Sequence, residues 1–438
     1  YQCDFFKYQS CGESLRMLKI EPQGSPFFNK CSRNCVYKQA KNTFLQSLES
    51  TTNYSYFLAE TVYSGKIKPR DLLVMDEGHN IPEQLQGFVE ISLSERFSNT
   101  IGINMPDIKT EFQAINWIKN EYKPTLKKYI EKLEGQLAKI DELRIALKEG
   151  EVIKLTKQYE KLDKHICKVN RFLDDYSNDN WVLDVIPAED RTTRKLEFKP
   201  IDVARYANDL LFRFGRYNIM MSATILNEDA FCESLGLNKN DVAFISIPSP
   251  FPIKNKPIFY SPAGKMSYEN IDATLPYMCK TVKEILNLHK NDKGLIHCNS
   301  YKIANYIKAN IKNSRLLIHD SDTREAVLNE HITSDKPTVL ISPSMTEGID
   351  LHDDLSRFQI ICKVPYPSLA SKLIRKRMHK WKWWYDCATL KTMMQSIGRS
   401  IRSKDDWCVT YIIDSNFEYF YNKNRDMFPA WFKEALVL

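Results

Sequence analysis

The sequence of 438 residues contains no long hydrophobic run, and no stretch approaches the roughly 20 consecutive apolar residues that a membrane-spanning helix needs. The first residues also lack the charged start and apolar core of a secretory signal peptide. These absences argue against a membrane protein. We expect a soluble, intracellular protein, located in a cytoplasm or a nucleus. Because residue 1 is Tyr1 rather than methionine, we also expect the chain to be a fragment.

The sequence further lacks a Gly-x-x-x-x-Gly-Lys-Ser/Thr stretch, the loop whose backbone N–H groups and lysine hold nucleotide phosphates. A partial match, Gly264-Lys265, has Phe259 in place of the first glycine and Met266 after the lysine. We therefore predict no phosphate-binding loop at this position.

Charge and aromatic content permit a nucleic-acid partner without requiring one. Lysine and arginine number 62 against 55 acidic residues, which gives a net charge of +7. Aromatic residues make up 12% of the chain. They could stack on unpaired bases, although most of them are expected in the core.

An apolar stretch of strand length, Leu72–Met75, ends in Asp76, Glu77 and His79. Its continuous apolar character predicts a parallel strand that is covered on both faces. Ligands of open α/β sheets bind beyond the carboxyl ends of such strands. Carboxylates there suit Mg2+ bound to nucleotide phosphates, with the second acid free to orient or deprotonate a water. The alternative is a surface acid pair that caps the following helix.

Cysteines are concentrated at the start of the chain, where four of the 11 lie within 35 residues: Cys3, Cys11, Cys31 and Cys35. In an intracellular protein such a group predicts a metal or iron–sulfur site rather than disulfides. Four thiolates can complete a zinc site or a cubane cluster, and their spacing does not choose between the two. Unligated thiols are the third possibility. The other cysteines are scattered singly, which is typical of small buried residues.

Residues 111–176 are rich in Lys, Glu, Leu and Ile, with apolar residues at near-helical spacing. Between Val152 and Leu173 the apolar positions are separated by three or four residues throughout. This pattern predicts two antiparallel helices that meet near Gly150. The hairpin could be a dimerisation coiled coil, but its position between two α/β stretches favours a projection from the surrounding domain.

The chain returns to strand character at Tyr217–Ile225, where Ser222 and Thr224 follow an apolar run. Hydroxyl groups at this position could connect the acid pair to a second site. The proline-rich stretch Pro248–Pro257 predicts a domain boundary.

A second α/β unit follows, with predicted strands at Lys293–Ser300 and Thr338–Ser342. Later in the chain, Gln395, Arg399 and Arg402 are three to four residues apart. On a helix these side chains would share one face, and the two guanidinium groups could bind phosphate oxygens in bidentate fashion. A solvated basic helix end is the alternative.

The order of four short motifs resembles motifs II, III, V and VI of superfamily 2 helicases: Asp-Glu-Gly-His, Ser-Ala-Thr, Thr-Glu-Gly-Ile-Asp and Gln-x-x-Gly-Arg-x-x-Arg. More narrowly, the chain resembles the XPD/DinG family of iron–sulfur helicases. Further segments that occur there in the same order are Tyr1–Cys3, Cys35–Tyr37, Asn53-Tyr54, Ile247–Pro252 and Val364–Pro367. The resemblance covers nearly the whole chain.

The resemblance implies an α/β fold with two RecA-like P-loop NTPase motor domains, an inserted iron–sulfur cluster domain and a helical Arch-like insertion. It divides the chain into residues 1–50 (a cluster insertion with a truncated start), 51–95 (the part of helicase domain 1 with motif II), 96–190 (the Arch-like insertion), 191–252 (the remainder of domain 1 with motif III) and 253–438 (helicase domain 2 with motifs IV to VI).

The resemblance also implies roles for the motif residues. Asp76 would hold Mg2+ and Glu77 would activate the attacking water. His79 would couple the nucleotide to motif III through Ser222 and Thr224. The remaining motif residues would line the cleft between the motor domains (Glu347, Gly348 and Asp350) or meet the γ-phosphate as the second domain closes (Gln395, Arg399 and Arg402).

By the same resemblance, the protein would be a monomeric ATP-dependent DNA helicase that uses ATP, Mg2+ and a 4Fe-4S cluster on the four early cysteines. It would move from 5′ to 3′ on single-stranded DNA and act on forked duplexes. Gly78 stands where the family usually has alanine, and we expect no consequence of this change. The compressed spacing of the last two cysteines makes the cluster a weaker inference than the motor.

The missing phosphate loop is the main departure from the family. We therefore expect that the part of domain 1 that carries it is absent, and that the chain as given binds single-stranded DNA weakly and hydrolyses almost no ATP. Two other functions remain open: an RNA-directed helicase of the same superfamily, and a non-enzymatic protein that binds single strands.

Overall fold

The computed structural model describes residues 23–139, 149–189, 192–320, 322–343 and 351–438. The chain forms two compact units. The first extends to Met221 and includes Ser234–Gly236, and the second contains Ser222–Glu233 and Leu237–Leu438. None of the described helices combines the length and the apolar character that crossing a membrane requires.

The first unit contains nine helices and five strands in its described part. In chain order they are α1 (Pro26–Asn34), α2 (Val36–Gln46), α3 (Tyr54–Ala59), β1 (Arg70–Met75), α4 (Ile81–Val89), β2 (Ile91–Ser94), α5 (Glu95–Thr100), α6 (Glu111–Trp117), α7 (Lys123–Ala138), α8 (Glu149–Asp175), β3 (Trp181–Ile186), β4 (Lys195–Pro200), α9 (Ala204–Leu210) and β5 (Gly215–Met220). Single π-helical turns follow α3, at Glu60–Ser64, and α6, at Ile118–Tyr122.

Strands β1 and β5 pair in parallel and form a two-stranded sheet. This confirms both predicted strands. The predicted cover on both faces of β1 is wrong for the described residues, because one face carries an exposed apolar stripe. Its side chains are paired in register across the two strands and have exposed fractions between 46% and 62%: Leu72, Val74, Tyr217 and Ile219.

Helices α7 and α8 form the predicted antiparallel hairpin. The Tyr122 hydroxyl lies 2.9 Å from Nε2 of His165, and Gln158 donates to the Tyr129 hydroxyl at 3.0 Å. As the chain advances along one helix, its contacts therefore move backwards along the other. Gly150 is the second residue of α8, in agreement with the prediction that the two helices meet near it. A glycine there is tolerated because its helix penalty applies mainly to interior positions.

The base of the hairpin packs on a second, antiparallel sheet with the order β2-β4-β3. Phe172 of α8 lies between Trp181 and Phe198, with ring centroids 4.9 and 4.6 Å away. All three aromatic side chains are fully buried. This aromatic cluster fixes the hairpin to the sheet.

The elements that follow are α10 (Glu228–Leu235), β6 (Ile258–Gly264), α11 (Ile271–Leu288), β7 (Gly294–His297), α12 (Tyr301–Asn310), β8 (Leu316–Ile318), α13 (Arg324–Thr333), β9 (Val339–Ser342), β10 (Phe358–Ile361), α14 (Lys372–Lys380), α15 (Trp384–Ile397), β11 (Val409–Asp414), α16 (Asn416–Lys423), α17 (Ala430–Ala435) and β12 (Leu436–Val437). The strands of the second unit form one fully parallel sheet with the order β12-β6-β11-β10-β7-β9-β8.

Helices cover both faces of this sheet. Helices α11 and α12 pack on one face, and α15, α16 and α17 pack on the other. Every residue of β7, β9 and β10 is buried, as expected for central strands of a doubly covered parallel sheet. The predicted α/β architecture of the second half is therefore confirmed.

Candidate functional site

The acid pair lies in a tight turn directly after β1. Asp76 and Glu77 are both exposed, and Glu77 has a left-handed backbone with φ of 50° and ψ of 43°. Its N–H group donates to Oδ1 of Asp76 at 2.8 Å. His79 is buried, and its Nδ1 lies 3.3 Å from Oε2 of Glu77. A non-glycine residue in this conformation costs about 1–3 kcal/mol, and such strain is concentrated at functional sites.

Tyr54 holds this turn from the side of α3. Its hydroxyl donates to the backbone carbonyl of Asp76 at 2.8 Å. Burial, together with the charges of Asp76 and Glu77, raises the pKa of Tyr54 to about 12, so the phenol remains a donor at neutral pH. Asn53 caps α3 by accepting from the N–H group of Tyr56 at 2.8 Å. The sequence marked Asn53-Tyr54 as a family segment but indicated no role for the tyrosine.

Gly78 connects the turn to the end of β5. Its N–H group donates to the carbonyl of Met221 at 2.8 Å, and the N–H group of Met221 donates to Met75 at 2.9 Å. A Cβ atom on Gly78 would lie 3.1 Å from Cβ of Met220, closer than most such contacts. The glycine therefore avoids a close contact, and the expectation that it has no adverse consequence stays a prediction.

Ser222 and Thr224 lie in the second unit, immediately after Met221. The N–H group of Thr224 donates to Oγ of Ser222 at 3.0 Å, and the two hydroxyl oxygens are 3.3 Å apart. Thr224 is buried. The serine thus fixes the local turn, while the predicted coupling role of both residues stays a prediction.

The prediction that one helical face carries Gln395, Arg399 and Arg402 is wrong. Helix α15 ends at Ile397, so only Gln395 is helical. The N–H group of Gly398 closes the last turn by donating to Met394 at 3.0 Å. Glycine is a poor helix former, and the segment beyond it makes other contacts. The two arginines therefore lie on a loop, where side-chain spacing does not follow the helical period.

The acceptor that shapes this loop is Asp406, which is buried. Its Oδ2 accepts from the N–H groups of Arg402 and Asp353, both at 3.2 Å. Its Oδ1 accepts from Nη1 of Arg357 at 2.6 Å. A buried carboxylate is stable only with such partners, and breaking the pair is costly. Asp406 thereby fixes the backbone of Arg402, a role that the sequence did not indicate.

His297 is the last residue of β7, and the charge of Arg399 acts on it. Burial lowers the pKa of His297 to about 4, and the positive charge of Arg399 adds to this effect. Next to it, Gln359 donates to the carbonyl of Ile397 at 2.8 Å and to Oγ1 of Thr410 at 2.9 Å. The amide thus holds the end of α15 against the sheet. Sequence analysis predicted the β7 strand but not the electrostatic interaction of its histidine with Arg399.

Of the predicted cluster ligands, Cys31 and Cys35 lie in the described part, and Cys3 and Cys11 lie outside it. Cys31 is 2% exposed and Cys35 is 8% exposed. The adjacent α2 has no buried residue, so these thiols are buried in a segment with little apolar core. Soft, buried thiols fit a metal or a cluster. No group of three or more His, Cys, Asp or Glu side chains within the described residues is placed to share an ion.

The motif V residues Glu347, Gly348 and Asp350 also lie outside the described residues. The site residues that the structure does describe fall into two groups. The first unit holds Asp76, Glu77 and His79, and the second holds Ser222, Thr224, Gln395, Arg399 and Arg402.

The sequence is similar to known helicases. Residues 282–435 match the model of the helicase C-terminal domain. Over 244 residues the chain is 27% identical to the ATP-dependent DNA helicase DinG of Photobacterium profundum. The aligned region covers 50% of this chain and 34% of DinG. Over 142 residues it is 30% identical to the ATP-dependent DNA helicase CHL1 of Debaryomyces hansenii. The aligned region covers 27% of this chain and 17% of CHL1. The chain thus spans about a third or less of these two relatives.

Solved XPD structures share the fold. The structure named XPD_Helicase has a TM-score of 0.58 at 17% identity and covers 93% of this chain and 78% of its own. The structure named XPD_APO has a TM-score of 0.54 at 19% identity and covers 92% and 87%. Identities this low establish the fold alone. Through the matched C-terminal domain, the ordered motifs and the shared fold, this chain is similar to the XPD/DinG-like superfamily 2 helicases.

Proposed function

We propose that this chain is part of an ATP-dependent DNA helicase that moves from 5′ to 3′ on single-stranded DNA and unwinds forked duplexes. The observation that carries the proposal is the turn after β1, where two exposed carboxylates are held by a strained backbone and by the Tyr54 hydroxyl. A strained backbone at an acid pair, at the carboxyl end of a parallel strand, suits a phosphate-transfer site. The names of the DinG and CHL1 relatives support DNA as the substrate.

Asp76 would hold Mg2+, and the turn fits this role. Oδ1 of Asp76 accepts from the adjacent N–H group, which fixes the carboxylate plane while the side chain remains exposed. A magnesium ion bound there supplies positive charge that offsets the charge of the nucleotide phosphates.

Glu77 is 64% exposed, and it would orient the attacking water and accept its proton. His79 lies against the same carboxylate and limits its rotation. The two residues thus act as base and positioning group.

Arg399 and Arg402 would bind phosphate oxygens of the nucleotide, with Gln395 as a polar neighbour. Guanidinium groups suit this because their planar fork matches phosphate geometry. At neutral pH His297 is uncharged, because its lowered pKa is about 4, so it does not repel Arg399. Asp406 holds the backbone of Arg402 and leaves the side chain exposed.

The domain boundaries inferred from the sequence stay proposals, as does the identity of the α7–α8 hairpin as an Arch-like insertion. Cys31 and Cys35, with Cys3 and Cys11, would hold the 4Fe-4S cluster. The burial of the two described thiols supports this assignment. A cluster would supply structural rigidity at this end of the first unit, and no chemical step depends on it.

The exposed stripe on the β1–β5 sheet supports a further part of the proposal. Four apolar side chains in register, each roughly half exposed, are typical of a sheet face that another layer covers. We propose that the segment that covers this face also carries the missing phosphate loop.

The decisive experiment uses the protein extended upstream in its parent reading frame until a phosphate loop is included. ATP hydrolysis is measured with and without single-stranded DNA, and unwinding is measured on duplexes with a 5′ or a 3′ tail. We expect DNA-stimulated hydrolysis and unwinding from the 5′ tail. Unwinding from the 3′ tail alone would reverse the polarity, and stimulation by RNA alone would favour the RNA-directed alternative. Strand binding without hydrolysis would favour the non-enzymatic alternative.

A further inference from the structure

Residues 372–382 form a strongly basic segment of the second unit. Within these eleven residues there are six lysines and arginines, one histidine and no acid. The segment comprises α14 and the two residues after it. Its basic residues are Lys372, Arg375, Lys376, Arg377, His379, Lys380 and Lys382.

The stability of α14 does not explain this charge. Lys372, Lys376 and Lys380 are exposed and follow one another at intervals of four residues, so they lie along one side of the helix. Like charges at this spacing destabilise a helix by about 0.2–0.5 kcal/mol per pair. Lys372 also lies at the helix N-terminus, where the helix dipole disfavours a cation. A charge arrangement that costs stability is expected where an anionic partner binds.

Neighbouring acids of the described residues do not neutralise Lys376 and Lys382. Asp386 is the first acid after it in the sequence, and it accepts from Lys423 at 2.7 Å. Within the described ranges of the chain, no carboxylate lies at ion-pair distance from Lys376 or Lys382. The guanidinium group of Arg375 donates to backbone carbonyls of the preceding loop rather than to an acid.

Tryptophans alternate with these cations. Arg377 lies over the ring of Trp384 at 5.6 Å, and Lys380 lies over the ring of Trp381 at 4.8 Å. The ring of Trp383 is half-buried and lies 5.8 Å from that of Trp381. Cation–π contacts hold the indoles in place, and fixed aromatic rings between cations are typical of surfaces that bind single-stranded nucleic acids.

Trp383 is fixed further by its indole N–H group, which donates to Oε2 of Glu233 at 2.7 Å. The hydrogen bond sets the orientation of the ring, which stays partly exposed. A rigid, half-exposed ring of this kind can stack on a base at little entropic cost.

We propose that this basic–aromatic surface, formed by the exposed residues of 372–383, binds the phosphodiester backbone of a single-stranded nucleic acid, with Trp383 stacking on a base. The proposal rests on the proposed function and assigns a strand-contact site in the second unit. Lys376 and Lys382 bind phosphates, because no acid among the described residues competes for them. DNA and RNA share this chemistry, and the experiment compares them.

Helix α15 begins beside this surface, at Trp384, and ends two residues before Arg399. Its 14 residues give it a length of about 21 Å, at roughly 1.5 Å per residue. Gln395 lies in its last turn. One rigid helix thus joins the strand-contact surface to the segment that carries the phosphate-binding arginines, so strand contact can be coupled to nucleotide contact.

The test measures binding of fluorescent oligo(dT) and oligo(rU) to the 438-residue chain over a range of salt concentrations. Each phosphate contact contributes about 0.7 to the slope of log affinity against log salt for single strands. The double variant Lys376→Ala/Lys382→Ala should therefore lower the slope by about 1.4 and weaken binding by about 20-fold at 0.1 M salt. The matched control is Lys280→Ala/Lys283→Ala on α11, where two exposed lysines lie outside the surface.

Trp383→Ala should weaken binding by about tenfold with little change in the salt slope, because stacking is not ionic. Trp383→Phe should restore most of the affinity, since it keeps a stacking ring and loses only the bond to Glu233. Equal slopes for the lysine variant and its control would overturn the proposal, as would tight binding to vesicles of one-third phosphatidylserine with none to either oligonucleotide. If the extended protein hydrolyses no ATP while the surface still binds strands with this slope, the proposed function fails and the surface stands.

Discussion

Glu77 combines three properties that rarely occur together in a structural residue. It is exposed, its backbone is left-handed, and its carboxylate lies 3.3 Å from a buried imidazole. The sequence explains the carboxylate but not the strain, which comes from the sharp turn between β1 and the helical turn at Gly78–Asn80. Glycine would adopt this conformation freely. The glutamate is therefore present at a cost in folding stability, as expected for a catalytic base.

This strain gives a prediction that separates function from stability. In the extended protein, Glu77→Gln should abolish DNA-stimulated ATP hydrolysis, because the amide cannot accept a proton from water. Glu77→Gly should abolish it equally, and should raise the free energy of unfolding by about 1 kcal/mol because the left-handed strain is released. Hydrolysis assays and denaturant titrations measure the two effects.

The matched control is Glu83→Gln, which alters an exposed acid in the first turn of α4. It should leave hydrolysis unchanged. Strand binding should stay near that of the unaltered protein in all three variants. Turnover within a few fold of the unaltered protein in Glu77→Gln would remove Glu77 from the catalytic role.

His297 gives a prediction about pH. Its pKa is lowered from 6.5 to about 4, chiefly by burial, so the unfolded chain takes up a proton at a pH where the folded chain does not. Its contribution to stability is therefore fully present above pH 6.5 and is lost as the pH falls from about 6.5 to about 4. The loss from this residue is about 3 kcal/mol at full effect. Denaturant titrations over this range should show the loss.

Substitution of His297 tests whether this residue causes the loss of stability at low pH. His297→Gln should reduce the pH dependence between 6.5 and 4, because its amide does not titrate. In the first unit, burial lowers the pKa of His165 to about 4 as well, so His165→Gln should remove a separate part of the dependence. A stability curve for His297→Gln that follows the unaltered protein at every pH would show that folding does not lower the pKa of His297.

The residues that sequence analysis found and missed differ in one physical respect. Asp76 and Glu77 could be proposed as site residues because an apolar strand and the acids after it are adjacent in the chain. Asp406 was missed because its function depends on Arg357, 49 residues earlier, and His297 was missed because its neighbour is Arg399. Local patterns show which residues end a strand. They do not show which distant side chain that end will contact.

Among the elements, strands were easier to predict than helix ends. The buried strands β7 and β9 were evident from short apolar runs with polar ends. The end of α15 was not evident, since spacing alone would carry the helix on to Arg402. Gly398 and the buried Asp406 decide otherwise, because the N–H group of Arg402 donates to that carboxylate instead of to the helix. A buried acceptor outside a helix can thus end it where the helix's own sequence would extend it.

Helix α1 contains Cys31, one of the four predicted ligands of the cluster. If Cys31 and its three predicted partners ligate a 4Fe-4S cluster, protein purified without oxygen should be brown and contain about four irons per chain. Cys31→Ser should remove the colour and the iron, since a serine hydroxyl is a poor substitute for a thiolate. Visible absorbance and metal analysis measure both. The matched control is Cys167→Ser, an exposed cysteine on α8, which should change neither.

Zinc in place of iron would decide for the structural-metal alternative. Protein with neither metal when purified anaerobically would contradict both assignments and leave unligated thiols. In the extended protein, Cys31→Ser should impair unwinding more than ATP hydrolysis, because α1 does not contain the acid pair.

For the whole chain, the exposed stripe and the missing phosphate loop both predict that it lacks a part needed for activity. The acid pair, the tyrosine beside it and the arginine loop are all folded, but the sequence contains no Gly-x-x-x-x-Gly-Lys-Ser/Thr loop to hold a triphosphate. Positioning supplies most of the rate enhancement in phosphoryl transfer. A missing loop should therefore eliminate turnover rather than reduce it moderately.

We accordingly expect the 438-residue chain to hydrolyse almost no ATP with single-stranded DNA, and to aggregate more readily than the extended protein. Aggregation follows from the apolar stripe on the short β1–β5 sheet, whose edges pair with no other strand among the described residues and can also recruit other chains. The measurement compares hydrolysis and light scattering for the two proteins under the same conditions.

One double variant separates the two causes. Leu72→Thr/Tyr217→Thr should reduce aggregation of the 438-residue chain, since threonine suits a strand and lessens the exposed apolar area. It should not restore hydrolysis, because a soluble sheet still lacks the loop. In the extended protein the same variant should be destabilising, because these positions would then face a covering layer and a buried hydroxyl there would lack partners. Robust hydrolysis by the short chain would mean that the phosphates bind elsewhere, and the assignment of Asp76 and Glu77 would have to be withdrawn.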